Sequence, residues 1–199
     1  RFLSRRGARA LRIVILAEEV SAGLSRELRE RLGALWSETA IIFRSGTPLR
    51  LEHLQRVDFT RASAILLPAA DFAEGGAAAA DTRTIKTLLS ITNQIGSRPG
   101  QDLPLAVAEI FDARKIEVAR RAYGGNVEIL ASDAIISRLI AQTIRHPGLS
   151  HVYGEILTHG RGNELYIRDL PQHTGATLSS LMDVFPSAIL LGVVRQEAG

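Results

Sequence analysis

Residues 104–144, PLAVAEIFDARKIEVARRAYGGNVEILASDAIISRLIAQTI, constrain the fold more than any other part of this chain. They read as strand, helix, strand, helix. The first strand, PLAVAEIF, is short and almost wholly apolar, as a strand must be when helices cover both faces of a parallel sheet. Glu109 interrupts that run near its carboxyl end, the edge at which open α/β sheets hold their ligands. A carboxylate there is the first candidate for a functional group.

The same alternation extends upstream. Residues 11–17 (LRIVILA) read as a buried strand, and 21–32 as an amphipathic helix with Leu24, Leu28 and Leu32 on one stripe. A second strand is expected at 40–44, then a turn at 45–48 and a helical stripe through Leu51, Leu54 and Val57. The third strand, 63–68, precedes an Ala/Gly loop and a helix over 82–95 that buries Ile85, Leu88, Leu89 and Ile91. Strand 104–111, helix 113–123 and strand 127–130 follow. Strands alternating with helices predict an α/β, Rossmann-like parallel sheet with right-handed crossovers and helices on both faces.

Beyond residue 131 the alternation breaks. A helix over 133–145 ends at His146-Pro147-Gly148, and Leu149, Val152, Tyr153, Ile156 and Leu157 mark a second amphipathic helix directly after it. Such a pair either crosses to a partner subunit or packs on its own sheet. The pattern restarts with a strand at 164–168, a turn at 171–175, a short helix at 176–184 and a strand at 188–194. The expected organisation is a basic linker at 1–10, a Rossmann-like unit with its helix pair at 11–160, and the start of a smaller α/β lobe at 161–199.

Composition excludes several classes. The chain is 46% hydrophobic and 23% charged, and no apolar run approaches the roughly 18 residues that a membrane helix needs. Without cysteine there are no disulfides and no thiolate metal sites, and a cytoplasmic setting is the default. The net charge is +3, and among the basic residues only Lys86 and Lys115 are lysines. Arg1, Arg5, Arg6, Arg9 and Arg12 crowd the start and could meet nucleic acid or anionic headgroups, but a solvated linker is the plainer reading. The opening Arg1 and the single Met182 lead to the expectation of a piece excised from a longer chain.

Motifs for chemistry are sparse. A dinucleotide site requires Gly-x-Gly-x-x-Gly after its first strand, whereas LRIVILA runs into Glu18-Glu19, which would repel phosphate. No Gly-x-Ser-x-Gly elbow is present, and His151 with Glu155 one turn on is a weak metal pair. Trp36 stands without the aromatic company of a base-stacking surface. Asp81 is read as the N-cap of the 82–95 helix, and Asp133 as that of the next long helix. Alternatively, Asp81 and Glu109, each just past a neighbouring strand, meet at the sheet edge and hold Ca²⁺ through oxygen, with Asp112 as a third donor.

Three segments in order, residues 78–91 (AAADTRTIKTLLSI), 106–157 and 175–195 (GATLSSLMDVFPSAILLGVVR), resemble the RCK (regulator of K⁺ conductance, TrkA-N-like) domains of the CASTOR/POLLUX ion-channel family. The resemblance covers nearly the whole chain. It implies that LRIVILAEEV is the family's second strand, with the glycine-fingerprint unit upstream and no nucleotide expected here. It further implies a dimer interface at 133–157 through Leu149, Val152, Tyr153 and Ile156, and the start of the C-terminal lobe after residue 162. In calcium-gated members an Asp opening one helix and a Glu-x-Glu ending the next strand bind Ca²⁺. Asp81 and Glu109 match, and Phe111 stands where the second Glu would be. The implied function is a gating domain on the cytoplasmic side of a cation channel, partnered by copies of itself and by a membrane pore, and neither an enzyme nor a nucleic-acid binder. The alternative is a fragment of a Rossmann-type NAD(P)-dependent oxidoreductase.

Overall fold

The computed structural model describes residues 11–69, 75–95, 102–158, 163–182, 184–185 and 188–194. The expected linker at 1–10 and the domain boundary at 160–162 lie outside them. The element order is β1 (Ile13–Ala17), α1 (Ala22–Leu32), β2 (Ile41–Ser45), α2 (Leu51–Arg56), β3 (Ala64–Leu67), α3 (Gly76–Ile95), β4 (Leu105–Ile110), α4 (Ile116–Ala122), β5 (Val127–Ala131), α5 (Ser132–Arg145), α6 (Leu149–Leu157) and α7 (Leu178–Leu181). The fold class is α/β and Rossmann-like, and every described strand pair is parallel.

The single sheet expected from the alternation is instead two. Among the described residues β1 pairs only with β2, while β3, β4 and β5 form a second sheet in that order. β1 and β3 share no ladder, and both carry exposed apolar side chains: Ile13 and Val14 on β1, and Leu66, 70% exposed, on β3. Leu16 of β1 nevertheless packs against the core of the three-stranded sheet.

That core is built on β4. Ala106, Ala108 and Ile110 are buried, and Leu88 and Ile91 of α3 and Ala119 and Ala122 of α4 close over them. Burying a side chain such as Leu88 or Ile110 contributes about 1.5–3 kcal/mol. Small residues on β4 let the helices approach closely. Tyr123, at the end of α4, donates its hydroxyl to the Pro104 carbonyl at 2.5 Å and so fastens the start of β4. Burial pushes its phenol up to about 12.

Two helix starts differ from expectation. α3 begins at Gly76, because the alanines of 77–80 are the strongest helix formers and extend the helix through a stretch read as loop. Asp81 therefore sits inside α3 and caps nothing. α5 begins at Ser132, so Asp133 lies in its first turn, where its charge suits the helix dipole. In the C-terminal part no strand forms at 164–168 or, among the described residues, at 188–194; Ile167 and Ile189 are 87% and 88% exposed. Strands there have no partner to complete a ladder, and the expected 176–184 helix shrinks to α7.

Candidate functional site

Three chain segments converge at the carboxyl end of β4: the first turns of α3, the turn at 111–115, and the first turns of α5. They enclose a cavity of about 470 Å³, a size suited to a small molecule, lined by Ala77, Ala78 and Asp81 of α3, Phe111 to Lys115, and Asp133, Ala134 and Ser137 of α5. Its charged lining is three acids against two cations.

Asp81 organises this edge. Its carboxylate is 1% exposed and accepts from the Phe111 amide (Oδ1, 2.7 Å), the Asp112 amide (Oδ2, 3.3 Å) and the Lys115 ammonium (Oδ2, 2.8 Å). It thus clips α3 to the exit of β4, and the countercharge offsets the cost of burying an ion. Lys115 is half-buried, reaching back from the 3₁₀ turn Ala113–Lys115. That turn is itself capped by Asp112, which accepts from the Arg114 amide at 3.0 Å and from the Arg114 guanidinium through both oxygens. Those bonds hold the Asp112 carboxyl down to about 2 and push Arg114 up. Ser132, opening α5, donates to the Ile110 carbonyl at 3.2 Å, so the last residue of β4 and the first of α5 are tied together.

Glu109 faces another way. Its Oε2 accepts from the Ala69 amide at 3.0 Å, bridging β4 to the chain leaving β3. The structure therefore brings Asp81 and Asp112 to one cavity and leaves Glu109 out of its lining. Among the described residues no group of three His, Cys, Asp or Glu side chains is placed to hold a metal ion. The expected three-acid cluster is not assembled, because each acid is turned toward a donor of the protein.

The remaining candidates are accounted for locally. Glu155 accepts from the Asn163 amide at 3.2 Å, and His151 is exposed. Trp36 stacks on Phe43 with the Arg29 guanidinium 5.4 Å from its ring, so its faces are taken within the chain. Val152 is exposed, while Leu149, Tyr153 and Ile156 are half-buried on a helix that packs on α5. Along α5 itself Ile136, Ile140 and Ile144 are 53%, 56% and 75% exposed. Sequence reasoning missed Lys115. Its one signal was its rarity, a lysine in a chain whose cations are nearly all arginine.

A family model described as "Castor and Pollux, part of voltage-gated ion channel" matches residues 133–199, from α5 onward. The "Probable ion channel CASTOR" of Oryza sativa subsp. japonica is 33% identical over 182 residues, 91% of this chain and 19% of the relative. The "Ion channel CASTOR" of Lotus japonicus is 33% identical over 156 residues, covering 78% of this chain and 17% of the relative. The "Ion channel POLLUX" of the same plant is 29% identical over 181 residues, 91% and 19% of the two chains. The chain thus spans less than a fifth of the length of these relatives. Among the described residues no helix is long and apolar enough to cross a membrane. On sequence kinship along nearly its whole length, the chain belongs to the CASTOR/POLLUX family of ion-channel proteins.

Proposed function

We propose that this chain is a regulatory domain of a cation channel, of the RCK type, which stands on the cytoplasmic side of the membrane and works as an oligomer. In this role it binds an ion or small polar ligand at the β4 edge and passes the change to the pore. Kinship supports the coarse part, since the relatives are named as ion channels and not as enzymes.

One observation carries the finer part: α5 belongs to two surfaces at once. Asp133 and Ser137, a turn apart, wall the cavity, while Ile136, Ile140 and Ile144 repeat every fourth residue along an uncovered face of the same helix. A ligand that displaces the start of α5 must also move that apolar face. If the face is an interface, binding biases the arrangement of subunits, which is the coupling that gating requires. α6 extends the surface with Val152, supported by Leu149, Tyr153 and Ile156.

The open edges of β1 and β3 suit the same reading. In a doubly wound sheet of order 3-2-1-4-5-6 the first strand lies at the centre, and a strand from elsewhere in the parent protein set between β1 and β3 would reproduce that order. It would also cover Ile13, Val14 and Leu66.

Light scattering of the purified chain at tens of micromolar tests the assembly. The expected result is a dimer or larger species that Ile140→Glu reduces to monomer, since a charge in an apolar interface must be desolvated without a partner. A wild-type monomer would remove α5 and α6 as the interface.

A further inference from the structure

The metal that the family resemblance brings to this edge does not fit the residues as they are bonded here, with Lys115 on Asp81. Ca²⁺ takes six to eight oxygens at about 2.3–2.6 Å, several of them from free carboxylates. Here Asp81 already accepts two backbone amides and an ammonium, Asp112 is forked by Arg114, and Glu109 is bonded to the Ala69 amide. The Phe111 side chain supplies no oxygen where the resemblance asks for an acid.

We propose that Lys115 is the resident cation of this site: its ammonium takes the place of a dissolved divalent ion at Asp81 and holds the edge in its cation-filled arrangement without metal. The geometry is that of a bound charge. Nζ lies 2.8 Å from a carboxylate oxygen that is almost completely buried, on the residue where α3 meets the exit of β4. A divalent ion approaching the same oxygen would meet that ammonium at contact distance, and like charges so close in a partly buried site repel strongly. The tethered cation also needs no free concentration to fill its place. Its turn leads through α4 and β5 to α5, and Ser132 ties α5 back to β4. The regulatory start of α5 is therefore fixed in one state as far as calcium is concerned, and a ligand acting on it must do so through the cavity rather than by charging Asp81. That consequence rests on the gating reading; the replacement of metal by lysine does not.

Thermal melting of the 199-residue chain tests the replacement in excess EDTA and in millimolar CaCl₂. Wild type is expected to melt at the same temperature in both. Lys115→Met, which keeps the stem and removes the charge, is expected to melt about 5 °C lower or more in EDTA, because the buried carboxylate has lost its countercharge. Added CaCl₂ should raise the variant and not the wild type, as the dissolved ion enters the place vacated. A calcium-induced rise in wild type that Asp81→Asn removes would overturn the proposal. So would a Lys115→Met protein that melts like wild type, or one that melts lower and ignores calcium, since Lys115 would then be an ordinary ion-pair partner. Should Lys115→Met fail to fold, Lys115→Gln retains a donor to Asp81 and carries the same comparisons. Channel recordings play no part in this test, so its outcome and that of the gating reading are separable.

Discussion

Tyr123 shows how a single side chain fastens the sheet that carries the site. Its ring is buried beside Ala122 and its hydroxyl is bonded to the Pro104 carbonyl at the entrance to β4. With the phenol pushed up to about 12, the folded state keeps the proton that the unfolded chain releases near 10. The stability that this difference affects is whole below pH 10 and is lost progressively between pH 10 and about 12. In an alkaline absorbance titration Tyr123 should ionise late, at about pH 12, and Tyr123→Phe should remove that late step. Gly125 lies next to the same ring. A Cβ there would stand 2.6 Å from the Leu103 Cβ and 3.1 Å from the Tyr123 ring, so Gly125→Ala should destabilise by about 1–3 kcal/mol in urea melts. Neither residue touches the cavity. Both set the position of β4 and hence of the edge where Asp81 and Lys115 meet.

At the scale of elements, α3 and α5 differ in what sequence could reveal. The core stripes of α3, Leu88 and Ile91, were legible from their period, as were β4, β5 and the break at His146-Pro147-Gly148. The start of α3 was not, because an Ala/Gly run fits a loop by its glycines and a helix by its alanines. That one ambiguity changed Asp81 from a cap into a buried clip. Its bond to Lys115 joins residues 34 apart in the chain, and no local pattern encodes such a pairing. The amphipathic stripe of α6 is legible in the sequence, while the larger uncovered row is Ile136, Ile140 and Ile144 on α5. On this account Val152→Glu should weaken assembly less than Ile140→Glu, as measured by the dissociation constants from sedimentation equilibrium. Equal losses would place the two helices on the same footing.

For the whole molecule, the parallel α/β architecture was legible, but its division into two sheets was not. Apolar strands announce that they are buried without naming the neighbour that buries them. The same holds for 164–168 and 188–194, which have strand composition and no ladder. The account that joins these parts is mechanical: a cavity at the end of β4, an α5 helix that walls it, and an apolar face on that helix turned outward. Single-channel recording of a channel protein that contains this domain and carries Ser137→Trp tests this most directly, because the bulky ring would fill part of the cavity and press on α5. The account predicts a changed open probability at unchanged unitary conductance. An open probability identical to wild type, with the variant domain folded, would contradict it.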